Sequence, residues 1–309
     1  MNRMSRTTRP ALAALAALSL GLTLSACASD DADAPNSAGT TPSKNVSIGI
    51  HSGWDEGIAV SHLFKVMLED DGYTVTTETA DPGIVYTGLA GGGYDLNFDM
   101  WLPITHADYL EKYGDDLEQL GSWYDDARLT IAVNEDAPIT SLDELAGAAD
   151  AFDNRLVGIE AGAGLTRITQ DEVIPGYGLE KIEHVISSTP AMLAELKSRT
   201  EAGENVAVTL WRPHWAYAEF PVRDLEDPKG LLGGAEEIHT VARSGFSAEQ
   251  PDVTALVKAF ELSDEQLASL ENIMFNEDEG NDPDASVRTW LEANPTFVED
   301  LRAKAGLTS

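Results

Sequence analysis

The sequence predicts an α/β protein built as two lobes with a cleft between them, and three observations carry that expectation. Short apolar, β-branched runs alternate with stretches at helical spacing through most of the chain, the pattern of parallel sheets covered by helices on both faces. The alternation comes as two successive series, and 309 residues is enough chain for about two domains. Tryptophans recur where a strand gives way to a turn, at Trp54, Trp101 and Trp211, and ligands of open α/β sheets sit at the carboxyl ends of the strands.

The elements follow in order. Asn45 to Ile50 alternates into an apolar strand, a turn carries Ser52-Gly53-Trp54-Asp55-Glu56, and Ile58, Val60, Phe64, Met67 and Leu68 then recur at helical spacing. Tyr73 to Thr77 reads as a strand, Pro82 to Leu89 as a helix, and Tyr94 to Met100 as a strand running into Trp101-Leu102-Pro103. A helical stretch from Thr105 to Lys112 closes the first series apart from a strand at Arg128 to Val133. Ser141-Leu142-Asp143-Glu144 has the spacing of a capping box. Strands are expected at Leu156 to Ile159, Ile182 to Ile186 and Val206 to Trp211, with helices after Gly164 and from Ala191 to Ser198. Glu237 to Ala242 is the last strand-like run, and helices are expected at Val253 to Phe260, Asp264 to Met274 and Ala285 to Leu291.

The first 26 residues stand apart from this body. Arg3, Arg6 and Arg9 precede an apolar run from Ala11 to Leu24, too short and Ala-rich for a membrane span, and Leu24-Ser25-Ala26-Cys27 follows. The segment looks like a bacterial lipoprotein signal, with Cys27 the lipidated first residue; the alternative is an ordinary secretory signal in which Cys27 is incidental. Residues 27–44 are almost entirely Ala, Ser, Thr, Asp, Asn, Gly and Pro, a composition expected to form a flexible tether. Cys27 is the only cysteine, so a disulfide, a zinc cluster or a thiol nucleophile is not expected. Removing the three arginines with the leader leaves 17 basic against 53 acidic residues, a formal charge of −36. That field repels phosphate backbones and anionic lipid surfaces, which argues against a nucleic-acid partner.

The candidate site begins at Val208-Thr209-Leu210-Trp211-Arg212-Pro213-His214-Trp215, where Pro213 ends an apolar strand and leaves Trp211 and His214 at its carboxyl end. Trp54 and Trp101 belong to the first series and Trp211 to the second, so closing the lobes could bring three rings around one guest. A quaternary ammonium has no hydrogen to donate, but indole faces attract it, at roughly 0.5 to 2 kcal/mol each. Gly162-Ala163-Gly164-Leu165 enters a helix and offers backbone N–H groups to an anionic end, with His214 as a further donor. Arg167 stands where a dinucleotide fingerprint needs its third glycine.

These residues resemble the substrate-binding proteins of glycine betaine and proline betaine ABC importers. The resemblance runs from about Val46 to Leu301 and rests on Gly53-Trp54, on Asp99-Met100-Trp101-Leu102-Pro103-Ile104-Thr105-His106 and on Gly158-Ile159-Glu160-Ala161-Gly162-Ala163-Gly164. It rests also on Thr209 to Trp215 and on Glu237-Ile238-His239-Thr240-Val241-Ala242-Arg243. It implies the type II periplasmic-binding-protein-like fold with the ligand cleft between lobes: lobe 1 at 45–134, lobe 2 at 135–236, and a return to lobe 1 with C-terminal helices at 237–309. Segments near Val133 to Ala137 and Gly233 to Glu237 would be the hinges. A prism of Trp54, Trp101 and Trp211 would surround the trimethylammonium, and Gly164, Leu165 and His214 would hold the carboxylate. Beside what the resemblance implies, Glu56 and Gly162 are candidates for the layer just behind, and His106 either supports Trp101 there or only starts a helix. The resemblance further implies an extracytoplasmic, lipid-anchored, monomeric receptor without cofactor or metal, serving a membrane permease and its ATPase.

Glu56, two residues after Trp54, leaves choline open as the ligand, because choline binders of similar architecture place an acidic group near their aromatic rings. An enzyme acting on methylammonium compounds is the remote alternative; the sequence has no GxSxG elbow. Trp123, Trp215 and Trp290 are expected to be packing residues, Trp290 in the core, with the outside of the cleft as the alternative place for Trp215; His51, His62, His106, His184 and His239 lack a metal-ligand spacing.

Overall fold

The computed structural model describes residues 43–278 and 280–307; the expected leader, Cys27 and the tether up to residue 42 lie outside them. Among these residues one sheet path carries nine strands: β1 Asn45–His51, β2 Thr74–Ala80, β3 Leu96–Leu102, β4 Leu117–Asn134, β5 Arg155–Val157, β6 Glu183–Val185, β7 Ala207–Arg212, β8 Val222–Asp224 and β9 Glu236–Arg243. Their order is β2-β1-β3-β9-β4-β7-β5-β6, with β8 beside β4.

β4 belongs to both halves of that path. Its residues Leu117 to Ala127 pair with β9, and Arg128 to Val133 pair with β7. The pairing therefore changes partner between Ala127 and Arg128, inside a continuous strand, so residues 128–134, expected in the first lobe, pair with strands of the second series. The sheets are also mixed rather than parallel. β1 pairs in parallel with β2 and β3, and β5 with β6 and β7, but β9 runs against β3 and β4, and β4 against β7. The cause is topological: β9 re-enters the first sheet beside β4 at the point where β4 leaves it, so the two must run in opposite directions.

Three strands deliver the tryptophans. β1 ends at His51, Gly53 turns the chain with φ +78, and Trp54 caps the helix Asp55–Asp70. Trp101 and Trp211 are next to last in β3 and β7, and each is followed by an X–Pro bond in the cis form, Leu102-Pro103 and Arg212-Pro213. Proline has no N–H to continue a ladder, so both strands stop with an indole at their carboxyl end.

The helix Asp55–Asp70 buries Ala59, Val60, Leu63, Phe64 and Met67 against the first sheet, and the C-terminal helices Asp264–Glu271 and Pro283–Ala293 lie on it. Trp290 is fully buried there, its indole N–H donating to Ser269 Oγ at 2.7 Å. Trp123 is likewise core, donating to the Phe98 carbonyl at 2.7 Å. The capping box at Ser141 forms as its spacing predicts. Among the described residues no helix is long and apolar enough to cross a membrane.

Candidate functional site

Trp54, Trp101 and Trp211 meet around one cavity, with about 280 Å³ of space between its lining atoms and the solvent at its mouth. Thr105, Leu129, Ile159, Ala163, Gly164 and Leu165 complete the wall, with Glu56 and His106. The three indoles are 5%, 3% and 3% exposed, so a guest among them would be out of water.

Each indole is fixed through its N–H by a different buried carboxylate. Trp101 donates to Asp99 Oδ1 at 2.8 Å, Trp211 to Glu56 Oε2 at 3.0 Å, and Trp54 to Glu160 Oε2 at 3.4 Å. Asp99 and Trp101 are two apart in β3, hence on the same face of the strand. Glu160 is itself held by the Thr189 backbone N–H at 2.7 Å and the Thr189 hydroxyl at 2.9 Å. One face of Trp54 is covered by His106, stacked at 5.4 Å with an interplanar angle of 5°, and His51 lies 4.5 Å from the same ring.

Burial sets the charge state of this shell, because removing water disfavours any ionised form. It pushes Asp99 up to about 7, opposed by the Trp101 hydrogen bond. Asp55 is pushed up to about 7 in the same way, opposed by the Trp215 indole N–H that it accepts. Glu56 is raised well above the usual carboxylate range by burial, reinforced by the negative charges of Asp99 and Glu271. Burial and the charge of Asp55 raise Glu271 likewise. Burial lowers His51 to about 3, and His106 is lowered by burial with His51 and Arg167 adding, so both rings are neutral near pH 7. His106 Nδ1 accepts the Trp101 backbone N–H at 2.9 Å, which places its proton on Nε2.

Part of the glycine turn reaches the cavity. Gly164 and Leu165 line it, and the first N–H groups of the helix that starts at Gly164 have no acceptor within that helix. A Cβ on Gly164 would overlap the Thr105 carbonyl, so only glycine permits this approach. Thr105 is held in turn by Glu236, which accepts the N–H groups of Ile104 at 2.7 Å and Thr105 at 2.9 Å. Gly162 does not line the cavity; its carbonyl accepts the Tyr109 hydroxyl at 2.9 Å.

His214 does not line the cavity either, contrary to its expected place beside the glycine turn. Its ring packs edge-on against Trp211, centroids 4.7 Å apart, and borders a neighbouring cleft with Trp215, Tyr217 and Glu271. Its Nδ1 accepts the Ala216 N–H at 3.0 Å, so the proton sits on Nε2, which has no hydrogen-bond partner among the described residues and lies 3.8 Å from Asp55 Oδ2. Burial lowers His214 to about 3. Trp215 is only partly buried, and its bond to Asp55 ties the turn after β7 to the start of the helix Asp55–Asp70.

Asp99 and Glu160 as anchors, and Thr105, Leu129, Ile159 and Ala163 as lining, are not among the residues that the sequence singles out. The spacing Asp99-Met100-Trp101 could have disclosed the first, because alternate residues of a strand share a face. Nothing local could have disclosed Glu160, which meets Trp54 across 106 residues of sequence.

A family model for the substrate-binding domain of ABC-type glycine betaine transport systems (OpuAC) matches residues 44–293. The chain belongs to this family. Like other OpuAC domains it has the two-lobed binding-protein fold. Over 145 residues it is 32% identical to a glycine betaine/carnitine transport binding protein, GbuC, of Listeria monocytogenes, a match covering 46% of this chain and 47% of the relative. The chain thus spans about half the length of that relative. Its fold is similar to the crystal structure of a glycine betaine, L-proline binding protein (ProX) from Borrelia burgdorferi, with TM-score 0.77 and 31% identity over 84% of this chain and 99% of that one. It is also similar to an ABC-transporter choline-binding protein in complex with choline, with TM-score 0.77 and 25% identity over 86% and 93% of the two chains.

Proposed function

We propose that this protein is the extracytoplasmic receptor of an ABC importer, capturing glycine betaine or a closely related quaternary-ammonium zwitterion for osmoprotectant uptake. The observation that carries this reading is the enclosure of one small, dry cavity by three indoles drawn from both series of elements. A trimethylammonium group cannot be hydrogen-bonded, and aromatic faces are the walls that favour it, at roughly 0.5 to 2 kcal/mol each. The backbone N–H groups of Gly164 and Leu165 receive the carboxylate. His214 is assigned as the side-chain donor to that carboxylate, since its buried Nε2–H has no hydrogen-bond partner among the described residues; the contact requires His214 and Trp211 to adjust from their present positions.

The guest bridges the two lobes, stabilises the closed form, and a membrane permease with its ATPase takes up that form. The ligand is released unchanged, so the protein is a carrier and not an enzyme. It works as a monomer held to the outer face of the membrane by a lipid on Cys27, and its acidic surface keeps it from nucleic acid. Choline is the second reading, favoured by the presence of Glu56 in the cavity wall.

Isothermal calorimetry with glycine betaine and with choline tests this reading, Trp101→Ala serving as control. Saturable binding of glycine betaine, tighter than choline and weakened by the substitution, is expected. Absence of binding of both ligands at millimolar concentration would refute the receptor assignment, and conversion of either ligand, followed by mass spectrometry, would refute the carrier role.

A further inference from the structure

We propose that Glu56, Asp99 and Glu160 are positioning residues that give the cage its selectivity for positive charge, acting on the guest through the indole N–H groups. The inference rests on the reading of the cavity as a methylammonium site. Its basis is the one-to-one pairing of three cage rings with three buried carboxylates.

An indole N–H needs an acceptor when buried, but a neutral amide oxygen would serve, at far lower desolvation cost than a carboxylate. A carboxylate on the indole N–H does something an amide does not. It polarises the N–H bond toward itself, leaving the ring face richer in electron density, and it adds a formal negative charge at the edge of the ring. Two of the three bonds also join the two series of elements, Trp211 to Glu56 and Trp54 to Glu160, so the rings take up their final orientation as the cleft closes.

The groups facing these carboxylates do not neutralise them. Glu56 faces Trp211, Asp99 and Glu271, with Asp55 beside it on its own helix. Asp99 faces Trp101, the neutral ring of His51 and the Tyr86 hydroxyl, which donates to the Asp99 carbonyl, while its Oδ2 has no hydrogen-bond partner among the described residues. Glu160 faces Thr189 and Trp54. A cation in the cavity is then the countercharge, and it favours the ionised form of Glu56 and Asp99. Binding must release protons to the extent that those groups are protonated beforehand, so affinity should rise as pH rises through the range around 7 where burial has placed Asp99.

The test compares glycine betaine with 3,3-dimethylbutanoate, which has the same shape and carboxylate but a quaternary carbon in place of nitrogen. Glu56→Gln, Asp99→Asn and Glu160→Gln are made in the full chain, with thermal melts to check folding. Each substitution is expected to weaken glycine betaine binding about tenfold while leaving the weak binding of the isostere within about threefold. Equal losses for both probes would reduce the carboxylates to structural supports and overturn the proposal. The unmutated protein supplies an independent measurement: calorimetric enthalpies near pH 7 in buffers of different ionisation enthalpy should report proton release with glycine betaine and none with the isostere. No release with glycine betaine would also overturn it. A chain that fails to bind glycine betaine at all, or binds it unaffected by Trp101→Ala, would instead refute the receptor reading beneath.

Discussion

Trp211 allows the cage to be tested one wall at a time. Its ring faces the cavity, is 3% exposed, donates to Glu56 and braces His214. Trp211→Ala removes one face, for which a dry cation–π contact gives about 2 kcal/mol. At about 1.4 kcal/mol per factor of ten, that is a ~30-fold rise in Kd. The same change leaves Glu56 without its indole donor inside the protein, at a cost of about 1–3 kcal/mol, so the melting temperature should fall as well. Trp211→Phe keeps an aromatic face and loses only the N–H, and should retain more affinity than Trp211→Ala while losing a similar share of stability. Calorimetric titration of the three proteins with glycine betaine, alongside thermal melts, separates the two contributions. An unchanged Kd in folded Trp211→Ala would refute the claim that the indole contacts the cation.

Other outcomes follow from the same geometry. In Gly164→Ala the new methyl overlaps the Thr105 carbonyl, an overpacking cost of about 1–3 kcal/mol that should lower the empty protein's melting temperature and weaken ligand binding as well. His214→Ala should weaken carboxylate ligands more than choline in competition titrations, and equal losses would remove His214 from the carboxylate. For pH, Asp55 and Asp99 are raised from 3.8 to about 7, so their contribution to stability is present below 3.8 and is lost as pH rises toward 7. His51 and His214 are lowered from 6.5 to about 3, so theirs is present above 6.5 and is lost as pH falls toward 3. The two trends oppose each other below 6.5, and above it only the acids act. Melts of the empty protein should therefore fall between pH 6.5 and 8, and Asp99→Asn should make that fall shallower, each buried acid contributing on the order of 1 kcal/mol per pH unit while it titrates.

Much of the fold could be read from periodicity, because most strands are short and carry one apolar run each. The first half of β4 could not. Leu117 to Ala127 mixes polar and apolar residues, and its register against β9 shifts near Gly121, whose φ is +119, and again near Tyr124, so the alternation that marks a strand is broken. β8 has only three residues, too few for any pattern, and the last helix, Phe297–Lys304, begins just after Asn294-Pro295 with few apolar positions. The three tryptophans that line the cavity stand out in the sequence because each sits at a strand-to-turn transition. The three carboxylates do not stand out, since in a chain with 53 acidic residues an aspartate or glutamate carries no signal until folding places it on an indole N–H. The position of His214 is less legible, because the turn after β7 sets its ring edge-on against Trp211, beside the residues that line the cavity.

The most direct measurement is a crystal structure of the protein grown with glycine betaine. The account predicts the trimethylammonium between the faces of Trp54, Trp101 and Trp211, with the carboxylate on the backbone N–H groups of Gly164 and Leu165. A betaine bound elsewhere, or one whose carboxylate occupies the aromatic cavity while its cation faces solvent, would contradict it.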